Sequence, residues 1–263
     1  PTARKGNGLQ VLGRFLEFSV HTPDILESLG FYKLLGFHEL EVRDTWSHKY
    51  AVVSDGELAI GLHDREFESP SVTFVKPDLA RSARSMADHG YNFSFMQLGD
   101  ESFNELRFAD RDGHTITMLE ARTFHDSEEA ERDSLCGGLV ELTLPVRDTV
   151  RAAQFWAPIA PNLLDMREEP TMHMRFDIDG IALGLSESIA LKAPSLSFKC
   201  ADRSALMRML ELQGMDFDKY PGFEGAFVEI HAPEGTSLFV FDKDFLGESY
   251  EVEESGLYSE LPL

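Results

Sequence analysis

Apolar and polar residues alternate along residues 15–20, with Leu16, Phe18 and Val20 on one side and Phe15, Glu17 and Ser19 on the other. This two-residue period predicts a half-buried strand. Residues 139–144 repeat it, Val140, Leu142 and Leu144 opposing Leu139, Glu141 and Thr143. Residues 23–35 then change to helical spacing, with apolar Leu26, Leu29, Phe31 and Leu34, Thr22 as a cap, Pro23 in the first turn and Gly36 as a stop. Strand-like runs follow at 37–42, 48–53 and 58–63, and the order restarts with 71–75, a helical 79–89, a strand around Phe93, and strands at 105–109 and 115–119. The second half offers strands at 172–178 and 181–185, then 195–200, a helical 203–213, and strands at 226–231 and 236–241. The pattern predicts an α+β protein of four βαβββ modules, paired two and two.

The modules are duplicated in register. Glu17 and Glu141, Asp24 and Asp148, Phe31 and Phe155, Ser71 and Ser195, and Gly90 and Gly214 are each 124 residues apart. A repeat held over that distance implies two tandem domains rather than a solenoid. The expected boundaries are an N-terminal tail 1–13, a first domain 14–121, an acidic linker 122–137, a second domain 138–243 and an acidic C-terminal tail 244–263.

Composition adds limits. The 263 residues, 43% hydrophobic and 27% charged, suit a soluble globular protein. No apolar run reaches the roughly 20 residues of a membrane span, and no secretory segment opens the chain. Two cysteines, Cys136 in a polar stretch and Cys200, make no disulfide framework, so a reducing cytoplasm is expected. Cys136 reads either as a reactive thiol or as a structural residue. The formal charge of −22 argues against nucleic acid or an anionic membrane as partner.

Three motifs carry a resemblance: the hydrophobic strand before Pro23-Asp24, the run Gly30-Phe31-Tyr32-Lys33-Leu34-Leu35-Gly36-Phe37, and the turn Ala109-Asp110-Arg111-Asp112-Gly113-His114 before a hydrophobic strand. Across about residues 14–242 the chain resembles the vicinal oxygen chelate superfamily, which includes glyoxalase I, bleomycin and fosfomycin resistance proteins and extradiol ring-cleavage dioxygenases. The resemblance implies that each pair of modules curls into an incomplete barrel around a cup, with metal ligands, mostly His and Glu or Gln, on first and last strands. Carried onto this chain, those positions fall on Glu17, Ser71, Glu141 and Ser195, and on Gly61, Thr117, Gly184 and Phe239. A two-His-one-carboxylate iron set is missing there, so ordinary ring cleavage is not expected.

Alternation also turns Glu17 and Glu141 inward, independently of any family. They are the candidate catalytic residues; the alternative is that each holds a polar network or pairs with a nearby Arg or Lys. Candidate ligand-binding residues are Phe15, His48, Gly61, His63, Thr117 and His173. His63 continues the face of Ala59 and Gly61, so a Glu17–His63 pair could serve as an acid–base couple or bind a metal weakly. His48 and His173 are read as related positions in the two halves. His114, following a turn, is assigned no chemistry, and His21, His38, His89, His125 and His231 fall near strand ends or in loops. Gly61 with Ala59, and Gly184 with Ala182, either open room for an apolar or aromatic molecule or are filled by neighbours. Phe239 and Phe241 would fill the second half, which favours the first.

The favoured reading is therefore a protein that binds a small organic molecule in an inner-face cup without the usual metal. The alternative is a lyase, isomerase or dioxygenase of the glyoxalase class using Fe, Mn, Ni or Zn held by Glu17 with His63 or Glu141 with His173. A third class is a non-catalytic interaction protein. Phosphate loops, dinucleotide fingerprints, zinc CxxC patterns and nucleophile elbows are absent. A monomer and a homodimer are both compatible with the duplication.

Overall fold

The computed structural model of the chain describes residues 11–100, 102–125, 134–222 and 225–244. The acidic runs at 126–131 and 248–254 lie outside them. Module one consists of β1 (Arg14–His21), α1 (Ile25–Leu34), β2 (His38–Leu40), β3 (Tyr50–Ser54) and β4 (Ala59–His63). Module two consists of β5 (Ser71–Val75), α2 (Leu79–Asp88), β6 (Phe93–Gln97), β7 (Glu105–Ala109) and β8 (Thr115–Leu119). The second half repeats this with β9 (Gly138–Pro145), α3 (Thr149–Trp156), β10 (Asn162–Arg167), β11 (His173–Asp177) and β12 (Ala182–Ser186). It closes with β13 (Ser195–Cys200), α4 (Arg203–Gln213), β14 (Phe217–Asp218), β15 (Phe227–His231) and β16 (Ser237–Asp242).

Each half is one eight-stranded sheet, ordered β2-β3-β4-β1-β5-β8-β7-β6 and β10-β11-β12-β9-β13-β16-β15-β14. The four βαβββ modules are present, paired as the repeat implied. Neither β10 nor β14 stood out in the sequence pattern.

The first strand departs from simple alternation. β1 pairs with β5 through Glu17 and Thr73, then through Phe15 and Phe74, which leaves Leu16 as the extra residue of a bulge. β9 repeats it against β13, with Val140 as the extra residue between Glu141 and Leu139. A bulge reverses the facing of what precedes it. Phe15, expected on the side of Glu17, packs instead on the Phe74 ring at 6.0 Å and joins the helix-side core. Leu16 moves to the opposite face, among Val52, Ala59, Leu119 and Phe124.

Helix α1 also differs in detail. Its cap is Asp24, whose side chain accepts from the Leu26 and Glu27 amides; Thr22 instead bonds Asp24 and Ser28. Such a cap contributes about 1 kcal/mol. The helix buries Ser28, Leu29 and Tyr32, while Leu26 is 79% exposed and Leu34 also faces solvent. Among the described residues no helix is long and apolar enough to cross a membrane.

One continuous core runs through both halves. It is clasped twice across the join. The Tyr32 hydroxyl donates to Glu234 Oε1 at 2.6 Å and Ser28 to its Oε2 at 2.9 Å; Trp156, 124 residues after Tyr32, donates its indole N–H to Asp110 Oδ2 at 3.2 Å. Each helix aromatic is thus held by a carboxylate from the last hairpin turn of the other half. His114, given no chemistry, ties the same join by bonding the Pro145 carbonyl at 2.6 Å. Cys136 is not in a solvated stretch: it is fully buried in this core, and burial pushes its thiol up to about 12. A thiol held so firmly protonated is a poor nucleophile.

Candidate functional site

The concave face of the first sheet gathers Glu17 from β1, His63 from β4, Tyr50 from β3, Thr73 from β5 and Thr117 from β8 around a small pocket. Glu17 is 1% exposed and accepts from Ser19 Oγ at 2.7 Å, the Tyr50 hydroxyl at 2.5 Å and His63 Nε2 at 3.2 Å. The hydroxyl directions follow. Since a carboxylate only accepts, Ser19 and Tyr50 donate to it, so Thr73 donates to Ser19 at 2.6 Å and Thr123 to Tyr50 at 2.9 Å. Burial, reinforced by the Glu17 charge, holds the Tyr50 phenol well above its ordinary value and keeps it a donor.

The chain of contacts continues outward. His63 Nδ1 lies 2.9 Å from His48 Nε2, and the His63 ring is boxed by Trp46 at 5.8 Å, Tyr50 at 4.5 Å and Phe67 at 5.6 Å between centroids. The expected Glu17–His63 pair is therefore formed, and His48 extends it. Burial first, then the charges of His63 and Arg65, lowers the His48 imidazole to about 4, so it is neutral at neutral pH. Two buried atoms in pocket-lining residues, His48 Nδ1 and Trp46 Nε1, have no hydrogen-bond partner among the described residues. The far wall is Arg107, ion-paired to Glu105 at 2.5 Å and lying over the Phe95 ring at 4.6 Å.

An imidazole lowered to about 4 must stay uncharged where free histidine titrates. In a proton NMR titration the His48 ring resonances are expected to hold still from pH 5 to 8, and a midpoint near the ordinary 6.5 would contradict the buried geometry. Between those two values the unfolded chain binds a proton that the folded His48 does not, so this group makes stability rise with pH over that window.

Gly61 does not leave room for a ligand. A Cβ there would stand 2.2 Å from Glu17 Oε1, so the missing side chain is the space the carboxylate occupies. Gly184 does the same for Glu141 at 2.6 Å. The free volume of the cup is ≈ 40 Å³. Phe15, sent to the other face by the bulge, does not line it, and Thr117 does, bonding Ser71 at 2.7 Å.

The second cup is built differently. Glu141, also 1% exposed, accepts from Thr143 at 2.6 Å and from His173 Nε2 at 3.1 Å, and Arg175 Nε lies 3.0 Å from its Oε2. Burial pushes the Glu141 carboxyl up, but the His173 hydrogen bond and charge, the Thr143 hydroxyl and the Arg175 charge outweigh it and hold the group below its ordinary value. Phe227, Phe239 and Phe241 pack together beside it, as the sequence suggested for this half. His173 is not the counterpart of His48. The ladders pair Tyr50 with His63 and His173 with Ser186, so His173 stands where Tyr50 does, 123 residues on, one fewer than elsewhere in the repeat. By the same ladders Val52 faces Gly61 where Arg175 faces Gly184.

Tyr50, Trp46, Thr73, Glu105 and Arg107 were not singled out from the sequence. For Tyr50 a signal existed, since it follows His48 at the two-residue period.

No protein-family model and no curated protein matches the sequence. Solved structures do match the fold. A homoprotocatechuate 2,3-dioxygenase variant from Brevibacterium fuscum aligns with 88% of this chain and 71% of its own at 14% identity and a TM-score of 0.59. The chain shares its fold with this ring-cleaving enzyme. Two further solved structures share the fold: the 2,3-dioxygenase LapB of Pseudomonas sp. KL28, at 13% identity over 87% and 91% of the chains with a TM-score of 0.59, and 2,2',3-trihydroxybiphenyl 1,2-dioxygenase of Sphingomonas wittichii strain RW1, at 16% over 88% and 90% with 0.57.

The sequence resemblance implies an ion held from first and last strands, and the donors at those places do not fit one. In the first half Glu17 has both oxygens engaged, Ser71 and Thr117 bond each other, and Gly61 has no donor. In the second, Glu141 is neutralised by Arg175 and His173, and Phe239 ends the set. A catalytic ion of this kind needs roughly three protein donors.

Proposed function

We propose that the chain binds a small, largely aromatic organic molecule at the first cup and takes a proton from it along His48, His63 and Glu17. The observation that carries this reading is the relay itself: it starts at a buried carboxylate and ends at His48 Nδ1, an atom in a pocket-lining residue with no partner among the described residues. Buried polar atoms are nearly always satisfied, and an exception points to a missing partner. A ligand hydroxyl donating to His48 Nδ1 would let His48 Nε2–H pass its proton to His63 Nδ1, and His63 Nε2–H pass its own to Glu17. A carbonyl or second oxygen of the ligand would accept from Trp46 Nε1. A neutral His48 suits this role because it conducts the proton without holding it.

The contrast between halves supports the same assignment. Arg175 fixes the Glu141 charge, whereas Val52 in its place leaves Glu17 with an imidazole as its one basic partner among the described residues. A guanidinium cannot give up its proton at ordinary pH; an imidazole can. The ≈ 40 Å³ of free room is about that of one or two waters, so only the oxygen-bearing end of the ligand enters, and its ring rests against Trp46 and Phe67 in the open part of the cup.

The structural relatives are named as dioxygenases of homoprotocatechuate and of a trihydroxybiphenyl, which makes phenols the first class to try. In ligand-observed NMR with a panel of mono- and dihydroxy aromatics, at least one phenol is expected to bind and to lose about tenfold or more in affinity in His48→Ala and Trp46→Ala. Glu17→Gln is expected to keep binding but abolish the shift of the bound phenol toward phenolate in its ultraviolet spectrum. Binding that survives both mouth substitutions, or no binding by any phenol, sinks the reading.

A further inference from the structure

The outer strands of the second sheet carry a cluster that the proposed relay does not use. Asp218 ends β14, and Glu229 and His231 share one face of β15. Among the described residues they form a group in which three side chains bring one possible metal-ligand atom each within 4.8 Å of the others. His231 Nε2 is 3.0 Å from Asp218 Oδ2, and His231 Nδ1 is 3.7 Å from Glu229 Oε1.

Glu229 makes this more than a surface meeting of charges. It is 6% exposed, its Oε2 accepts from the Tyr220 hydroxyl, and its Oε1 accepts no hydrogen bond among the described residues while facing the imidazole. No Lys or Arg of the described residues lies within 4.0 Å of it. The duplication sharpens the point. The first sheet sets Arg107 opposite Thr117, and the second sets Glu229 opposite Phe239 at the equivalent rung. A buried cation has been exchanged for a buried anion, and Asp218 adds a second negative charge beside it. Even with a protonated His231 the group keeps an excess of one negative charge, and an ionised carboxylate is costly to bury uncompensated.

We propose that Asp218, Glu229 and His231 bind a first-row divalent cation. One imidazole nitrogen with two carboxylates is a donor set that zinc and manganese accept, and three protein donors leave room for water on an ion at the sheet edge. None of the three stands at a position the fold family uses for its ion. The competing arrangement is a protonated His231 bridging the two carboxylates, with no ion taken up.

Isothermal titration of zinc(II) into the full chain at neutral pH, after chelator removal, separates the two. The expected result is one strong site per chain that weakens about tenfold or more in Asp218→Asn and in His231→Ala and is unchanged in Glu17→Gln. Asp218 and His231 side chains are 65% and 48% exposed, so neither substitution threatens the fold, and thermal melts in chelator check this. No stoichiometric uptake, or uptake that persists in His231→Ala, overturns the proposal.

Discussion

Glu141→Gln is expected to destabilise the chain by about 3–5 kcal/mol, the usual result of removing one partner from a buried charge pair. The carboxylate is enclosed with His173 and Arg175; its loss takes the charge partner from the buried His173 and leaves Arg175 with Asp165 and the Val140 carbonyl, while Gly184 offers no side chain to fill the gap. Glu17→Gln, at the same place in the repeat, is expected to cost clearly less, because no guanidinium loses an ion pair there. The effect depends on pH in a definite direction. The folded carboxyl is held below its ordinary 4.5, so its contribution is complete above that value and is lost as pH falls through the lower folded value. Urea unfolding of the two variants at pH 7 and at acid pH checks both statements. Equal losses at the two sites, or a Glu141→Gln deficit that does not shrink in acid, would contradict the pairing.

Trp156→Ala is expected to cost a further large amount, about 3–5 kcal/mol, as for other fully buried large aromatics. Trp156 is fully buried at the join of the halves and contacts the Phe155 ring at 5.9 Å. Its indole also donates to Asp110, so Trp156→Phe should retain most of the packing while losing that bond, at a cost of about 1–3 kcal/mol for the unsatisfied carboxylate. Denaturant midpoints of the two variants separate packing from hydrogen bonding. A Trp156→Ala loss under about 1 kcal/mol would mean the halves do not depend on this contact.

Much of the fold was legible because the chain states its pattern twice. Two-residue alternation located the strands, and the 124-residue offset located their copies. The same alternation brought Glu17 and His63 together correctly, since both lie on regular parts of β1 and β4. It failed at Phe15 and Leu16, where a bulge adds a residue that no period records. It missed β10, whose Leu163, Leu164 and Met166 are all exposed and so follow no two-sided rule. His173 was matched to the wrong partner because that stretch of the repeat has an offset of 123 rather than 124, and His48, two residues before Tyr50, shares its facing, so alternation could not tell the two apart. The glycines misled for a different reason. Gly61 and Gly184 read as empty wall, yet each is the contact surface of a carboxylate from the neighbouring strand, a relation that sequence spacing does not carry.

The clasp formed by Tyr32 with Glu234 and by Trp156 with Asp110 has the layout of a symmetric pair of subunits, but its two sides are continuous in one polypeptide. Two identical subunits must carry the same side chain at every equivalent rung, so any change made for chemistry is imposed on both. Fusion removes that constraint. Val52 and Arg175 occupy the same rung, so that Glu17 is paired with an imidazole and Glu141 with a guanidinium as well. Each copy is therefore free to diverge from the other without disturbing the clasp that joins them.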